Sequence, residues 1–393
     1  MAYKAICTTV FLDMQREDMR AQLKNPPADE QNLAFNEGND SSRWGAFDEN
    51  GKMHSALIVV PFTMMMNGKE VKMGGIGGVV TRPESRGLGL IRQIMDKIFE
   101  EMQEAGQTFS FLYPFSYGYY RNFGYETCYS RDIVRIPIEQ FAGYKYPKNM
   151  VPYEPGDDYQ PYADIYAHFA KSRNLAIVRN ETSWKKMLDR DPYKNLDFTY
   201  LSHDPQGNPN AYVLYKGEKR HDGNLLKVRE IAWKTTEGLQ SIFGFFSKLG
   251  AEYETVEWSA PGEVNTHVLF PEGYDLSWSR NAVGMNRIVN VLEGLKTLNA
   301  PSPQGSVVVA VTDKYLPAND GSYQIAWENG ALNVTKTEAA PDLTTTVETL
   351  VQLVTGYATP SEVAFQPHTT IHSQCEVLEA LFPKQKLHLL EGF

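Results

Sequence analysis

The sequence predicts an α/β (α+β) protein of two or three domains. Three observations predict it: the length of 393 residues, an apolar share of 42% beside 22% charged residues, and a succession of strand, glycine loop, amphipathic helix and strand that occurs early and is echoed later. Chains beyond roughly 250–300 residues generally divide into domains. The composition is that of ordinary globular domains and excludes the disordered, collagenous and coiled-coil classes.

In the first segment, Trp44 to Phe47 opens a run of strands punctuated by Asn50-Gly51 and Asn67-Gly68. Both pairs suit a type I′ turn, whose two centre residues need positive φ. Between them Ala56 to Phe62 reads as a strand, and Val71 to Thr81 as the next. The glycines of the latter (Gly74, Gly75, Gly77, Gly78) are costly in a strand unless a bulge or another backbone comes close. From Leu88 the period changes: Ile91, Ile94, Met95, Ile98, Phe99 and Met102 recur at three and four and predict a helix to about Gly106. Thr108 to Tyr113 reads as a buried strand that Pro114 ends. Before all this, Asp18 to Leu33 holds a helix candidate broken by Pro26 and Pro27.

After a Pro- and Tyr-rich connector, the second segment predicts a helix at Tyr162–Ser172, strands at Phe198–Ser202, Asn210–Lys216 and Leu226–Trp233, a helix at Glu237–Leu249 and a strand at Tyr253–Ser259. The third predicts a short helix around Val291 to Leu295, strands at Ser306–Val311, Gly321–Glu328 and Leu332–Lys336, and helices at Thr346–Tyr357 and His372–Leu381. The tail after Lys386 turns apolar, unlike a frayed terminus.

The 48 acidic and 38 basic residues give a net charge of −10, without the basic runs that bind nucleic acid. A cationic small partner suits that sign. Three scattered cysteines (Cys7, Cys128, Cys375) offer neither a disulfide framework nor a metal-ligand spacing, which predicts a reducing, cytoplasmic setting. His368 and His372 lack the glutamate of a zinc-hydrolase HExxH motif and read as ordinary residues, so no metal is expected. No apolar run is long enough for a membrane span, and the N-terminus is too charged for a signal peptide, so a soluble protein is expected.

The chemistry concentrates in Val79-Val80-Thr81-Arg82-Pro83-Glu84-Ser85-Arg86-Gly87-Leu88-Gly89-Leu90-Ile91-Arg92. A strand feeds a glycine loop directly ahead of a helix, so backbone N–H groups converge at a helix N-terminus, where an anion binds. No Gly-Lys-Ser/Thr follows, and the spacing G-x-G-x-x-G is absent, so this is neither a Walker loop nor a Rossmann turn. An ordinary strand-to-helix turn carrying two glycines has the same spelling. The loop resembles the signature Arg/Gln-x-x-Gly-x-Gly/Ala of the GNAT superfamily of acetyl-CoA-dependent N-acetyltransferases, with Ile91 where the last Gly or Ala is usual. The resemblance implies a pyrophosphate bound by the amides of Gly87, Leu88, Gly89, Leu90, Ile91 and Arg92 beside Arg86, and a pantetheine arm paired with Val79, Val80 and Thr81.

A second stretch, Tyr119-Tyr120-Arg121-Asn122-Phe123-Gly124-Tyr125, is similar to the GNAT pattern F/Y-Y-x-x-x-G-F/Y, though an aromatic core turn reads alike. By that match Tyr120 is the general acid that protonates the departing thiolate, a role open to a phenol that stays protonated at neutral pH. Phe115 and Ser116 would then lie along the same arm.

Over essentially its whole length the chain resembles the Eis (enhanced intracellular survival) family. That resemblance implies tandem GNAT-like domains with mixed, splayed sheets and a sterol-carrier-protein-like α/β domain, divided at 1–148, 149–286 and 287–393. The second copy is expected to be degenerate, since Lys234-Thr235-Thr236-Glu237-Gly238 replaces the glycine loop there. The family likeness further implies acetyl-CoA as cosubstrate, a cationic amine acceptor of the aminoglycoside or lysine kind, a homohexamer, and the α-carboxylate of Phe393 as general base. The competing reading is a non-catalytic regulator that binds acyl-CoA or a lipid.

Overall fold

The computed structural model describes residues 41–221, 223–301 and 303–392. Cys7, the helix candidate between Asp18 and Leu33, and Phe393 lie outside the described residues.

Eleven strands form one sheet: β1 (Ser42–Phe47), β2 (Met53–Met66), β3 (Lys69–Thr81), β4 (Phe109–Leu112), β5 (Glu126–Pro137), β6 (Met150–Pro152), β7 (Asp197–His203), β8 (Pro209–Glu218), β9 (Leu225–Trp233), β10 (Thr255–Ala260) and β11 (Ser277–Ile288). Their order is β1-β2-β3-β4-β11-β5-β10-β9-β8-β7-β6. Helices α1 (Leu90–Glu104), α2 (Tyr117–Arg121), α3 (Gln160–Ala170), α4 (Glu181–Leu188), α5 (Pro192–Asn195), α6 (Thr236–Phe246) and α7 (Thr266–Leu269) connect them. The apolar stripe of α1 is buried as its spacing requires: Ile91, Ile94, Met95, Ile98, Phe99 and Met102 all face the core.

The sequence readings are silent on β5 and β11, the strands that join the two halves. β11 pairs with β4 from Met285↔Leu112 to Ile288↔Phe109 and with β5 from Ser277↔Arg135 to Asn286↔Glu126. Residue 286, where the sequence reading ends the second unit, therefore lies inside a strand shared by both units. Their charged residues hide these strands from a hydrophobic pattern, and only tertiary partners make the charges tolerable. Asp132 receives two hydrogen bonds from Arg280 at 2.7 and 2.8 Å, and Arg135 donates to Glu257 at 2.9 Å. Arg287, 0% exposed, pairs with Asp313 at 2.6 Å and donates to the Phe123 carbonyl. A buried charge survives only with such partners. Gly124, at φ +76°, is required beside it, because a Cβ there would overlap the guanidinium.

Of the two turn signals, Asn67-Gly68 has positive φ at both residues, at 51° and 80°, as a type I′ turn demands. Asn50-Gly51 does not: among this pair only Gly51 is left-handed, and the loop is held by Asp48, whose Oδ1 accepts from the amides of Asn50 and Lys52 at 3.0 and 2.9 Å. The aspartate side chain supplies a local turn that overrides the dipeptide signal.

A second sheet, of order β14-β13-β12-β15-β16, is built from β12 (Gln304–Thr312), β13 (Gly321–Glu328), β14 (Ala331–Thr337), β15 (Leu343–Thr346) and β16 (Thr370–Ile371). It carries α8 (Val291–Leu295), α9 (Val347–Thr355), α10 (Pro360–Val363) and α11 (Cys375–Leu381). Val307, Val309, Leu343, Leu350 and Leu381 form one apolar cluster that continues into Met64, Phe109 and Phe111 of the first sheet. The C-terminal unit is thereby packed directly behind β4, the strand that borders the site.

Candidate active site

The site begins where β3 and β4 part. They pair in parallel from Met73↔Phe109 to Ile76↔Leu112. Beyond Ile76, β3 runs on to Thr81 against β2 alone, while β4 stops at Leu112 and the chain turns away through Pro114. A register shift between Ala56 and Ile58 of β2, opposite Gly78 at φ +57°, bends β3 at this point. The glycine in the strand therefore marks a bulge, one of the two conditions its sequence had posed.

The opened edge of β3, the following loop and α2 enclose a cleft of about 770 Å³. Its walls include Val79, Val80, Thr81, Arg86, Gly87, Gly89, Leu90, Ile91, Arg92 and Phe115. Gly87 and Gly89 have φ of +82° and +70°, and a Cβ at either would meet nothing within 4 Å among the described residues. Gly89 is the N-cap of α1 and gives no side-chain cap, so the first-turn amides of a 15-residue helix point outward uncapped. Convergent amides, open space and the helix dipole suit a phosphate.

Leu88 and Ser116 are placed differently. Leu88 is 64% exposed and outside the cleft wall, while the Ser116 hydroxyl accepts from the Tyr119 amide at 3.4 Å as the cap of α2. Ser85, Tyr119, Asn122 and Phe123 join the wall without having been singled out as site residues. The last three fall at helical spacing, a signal legible once α2 is assigned. Ser85 is held by the His54 ring at 2.6 Å, and His54 in turn by Asp48 at 3.1 Å, which fixes the loop from below.

Tyr120 lies behind this wall, 2% exposed. Its ring packs 5.3 Å from Phe115, 5.2 Å from Tyr119 and 6.2 Å from Tyr125, all edge-on. Burial first, and then the neighbouring Tyr119 and Tyr125, push its phenol well above the ordinary tyrosine range.

The chain end comes to the same strand end. Lys386 and His388 exchange backbone hydrogen bonds with Asn174 at 2.8 and 3.0 Å, and Leu389 is fully buried. The Tyr113 hydroxyl, one residue past β4, donates to the Glu391 carbonyl at 2.7 Å. Arg179 donates from Nε to the Glu391 carboxylate at 2.7 Å and from both terminal nitrogens to Glu230 at 2.7 and 2.5 Å. The Tyr212 hydroxyl also donates to Glu230. Burial pushes the Glu230 carboxyl up, but Arg179 outweighs it and holds Glu230 below the usual carboxylate range. Arg179 itself lies over the Tyr166 ring at 3.8 Å. A second cavity of about 290 Å³ opens here, its wall including Phe62, Glu230 and residues 390–392 of the tail. Arg179 and Glu230 were missed because each reads as a lone charge closing or interrupting an apolar run.

In the second unit the helix equivalent in order to α1 is closed. The Thr235 side chain caps α6 by accepting from Gly238 at 3.2 Å, and Gly238 abuts the Asn210 backbone. Among the described residues, no group of three metal-ligating side chains comes together and no helix is long and apolar enough to cross a membrane.

A splayed strand pair opening onto an uncapped, glycine-bordered helix defines a GNAT-type acyltransferase. Models of the acetyltransferase (GNAT) domain match residues 2–128 and 175–288, and the sterol carrier protein domain matches 289–390. Solved structures share the fold along nearly the whole chain. A GCN5-related N-acetyltransferase from Anabaena variabilis has a TM-score of 0.84 at 21% identity, covering 100% of this chain and 96% of its own. A probable N-acyltransferase from Enterococcus faecalis has 0.81 at 20%, covering 98% and 94%. Eis1 from Mycobacterium abscessus has 0.76 at 17%, covering 91% and 92%. No curated protein matches the sequence. With two acetyltransferase (GNAT) domains and a sterol carrier protein domain in that order, the chain belongs to the GNAT acetyltransferases. It is an acetyl-CoA-dependent N-acetyltransferase, with an acyl-CoA and an amine as its partners.

Proposed function

We propose that the chain transfers acetyl directly from acetyl-CoA to a primary amine, with Tyr120 as general acid and the α-carboxylate of Phe393 as general base. The observation that carries this reading is the Tyr113–Glu391 hydrogen bond, which brings the chain to within two residues of its end at the point where β4 leaves β3. Acetyl-CoA would lie with its pyrophosphate on the amides of residues 87–92 beside Arg86, its pantetheine along Val79–Thr81, and Phe115 flanking the arm. The amine nitrogen attacks the thioester carbonyl, the C–N bond forms and the C–S bond breaks. The ammonium proton passes to the carboxylate, directly or through water, and the departing thiolate takes the Tyr120 proton. Burial keeps that phenol protonated until the thiolate, a stronger base than water, develops. A terminal carboxylate of ordinary pKa is a weak base, so its charge also serves to attract the ammonium.

The reading includes one cofactor site per chain, a cytoplasmic homohexamer, and an acceptor that presents a cationic amine. The alternative is a non-catalytic regulator that binds acyl-CoA or a lipid. The test is CoA thiol release from acetyl-CoA across a panel of amines. Turnover that requires an amine supports transfer; a folded protein that binds acetyl-CoA and releases no CoA with any amine refutes it.

A further inference from the structure

The cavity at the chain end is charged in a directional way. On its tail side Glu230 and Glu391 share one cation, Arg179, and the chain terminus follows two residues later. The same wall also carries Lys186, Arg190 and Arg229. Arg190 and Arg229 belong in addition to the neighbouring cavity, whose wall contains none of the tail, so they mark the side away from it. Two of these cations share a single carboxylate: Arg229 lies 2.9 Å from Asp197, and Arg190 3.6 Å from the same group. Lys186, exposed at the end of α4, has no ion-pair partner among the described residues. Arg229 reaches this wall because of a bulge. The register shift at Leu214/Tyr215 leaves it between Val228 and Glu230 without a cross-strand partner, so successive residues of β9 border one cavity.

Among the described residues the cavity thus has an acidic side at Glu230 and Glu391 and a cationic side at Arg190 and Arg229, with Lys186 also on its wall. We infer that the acceptor is an amine that also carries an anionic group, a carboxylate or a phosphate, which the cationic side binds while the ammonium faces the tail. The inference rests on the proposed transfer reaction and narrows its substrate class: a polycation would place its further charges against the cationic side. Guanidinium groups suit both oxyanions, since they present paired donors to carboxylate or phosphate oxygens.

The experiment compares CoA release from acetyl-CoA with five acceptors of one chain length: hexylamine, aminohexanol, diaminohexane, aminohexanoate and aminohexyl phosphate. At low ionic strength kcat/KM for aminohexanoate or aminohexyl phosphate is expected to exceed that for diaminohexane by about tenfold or more, and the margin should shrink with salt. The two anionic arms tell carboxylate from phosphate recognition. In the exposed-site variants Lys186→Gln and Arg190→Gln, singly and combined, the ratio of anionic to uncharged acceptor should fall several-fold, and Arg190→Lys should restore part of it. A diamine used as well as the anionic amines, or a ratio that the variants leave unmoved, overturns the inference while transfer to amines stands. If acetyl-CoA binds and no acceptor of any charge releases CoA, the transfer reading fails and this inference falls with it.

Discussion

Arg179 joins the last residues of the chain to the middle of the sheet: its Nε lies 2.7 Å from the Glu391 carboxylate while its other nitrogens hold Glu230. With the Tyr113 hydroxyl on the Glu391 carbonyl, this fixes both the side chain and the backbone of one tail residue from two different units. A group two residues from a chain end ordinarily frays; this one has a buried cation and a hydroxyl as anchors.

If that anchoring serves the reaction, its loss and the loss of the terminal carboxylate are one defect. Glu391→Gln is expected to lower kcat by about tenfold and to leave the KM for acetyl-CoA nearly unchanged, and a short extension past Phe393 should lower kcat by about a hundredfold. Combined, the two should be far from additive, because residues acting through one group do not add. Additive losses, or an extended chain with undiminished turnover, remove the tail from the mechanism.

Tyr120→Phe is expected to depress kcat by about a hundredfold or more with little effect on the KM for acetyl-CoA, the signature of a lost proton donor. Because burial raises the phenol, it remains an acid throughout the usable range. The wild-type rate should therefore rise as the amine deprotonates and show no decline up to about pH 9.5. A falling limb below that pH, absent in Tyr120→Phe, would contradict the buried phenol as donor.

Gly89→Ala separates binding from folding. The left-handed backbone at φ +70° makes alanine cost about 1 kcal/mol, yet the added methyl meets no atom of the described residues within 4 Å. Calorimetric titration should show acetyl-CoA bound at least about tenfold more weakly, with only a small drop in melting temperature. Unchanged affinity would mean that the phosphates lie elsewhere.

His388 makes the tail acid-sensitive. Burial lowers its imidazole from 6.5 to about 4, against the opposing pull of Glu230 and Glu391 and with the help of Arg179 and Arg173. It packs against the rings of Tyr166 and Phe169. Above pH 6.5 it is neutral folded or unfolded; below, the unfolded chain takes up a proton that the folded one refuses until about pH 4. Stability is thus lost as pH falls through that window, by at most about 3 kcal/mol. Denaturation midpoints measured from pH 7 to 4 should fall less steeply in His388→Leu; equal slopes would assign the acid sensitivity to other groups.

Much of the architecture was legible locally. The three-and-four spacing of α1 is a sufficient instruction, because a helix built from it has one apolar face, and the fold buries that face as written. The glycine loop was legible for the same reason: two left-handed positions ahead of a helix are a backbone requirement that glycine alone meets without strain. The Asn50-Gly51 pair misled because a nearby aspartate offered the backbone a better local partner. β5 and β11 stayed hidden because their arginines and aspartates suit a strand only when Asp132 meets Arg280 and Arg287 meets Asp313 across the fold.

By itself, then, the sequence determined what depends on neighbours along the chain: the class, the glycine loop, the helix that follows it and the aromatic segment around Tyr120. Only the tertiary structure decided what depends on residues far apart. It placed β11 between β4 and β5, set Arg179 against Glu391 across 212 positions, and sorted the charges of the chain-end cavity onto two sides. The reason is physical: periodicity and backbone preference act over a few residues, whereas a buried charge is tolerable only beside a partner that folding brings to it.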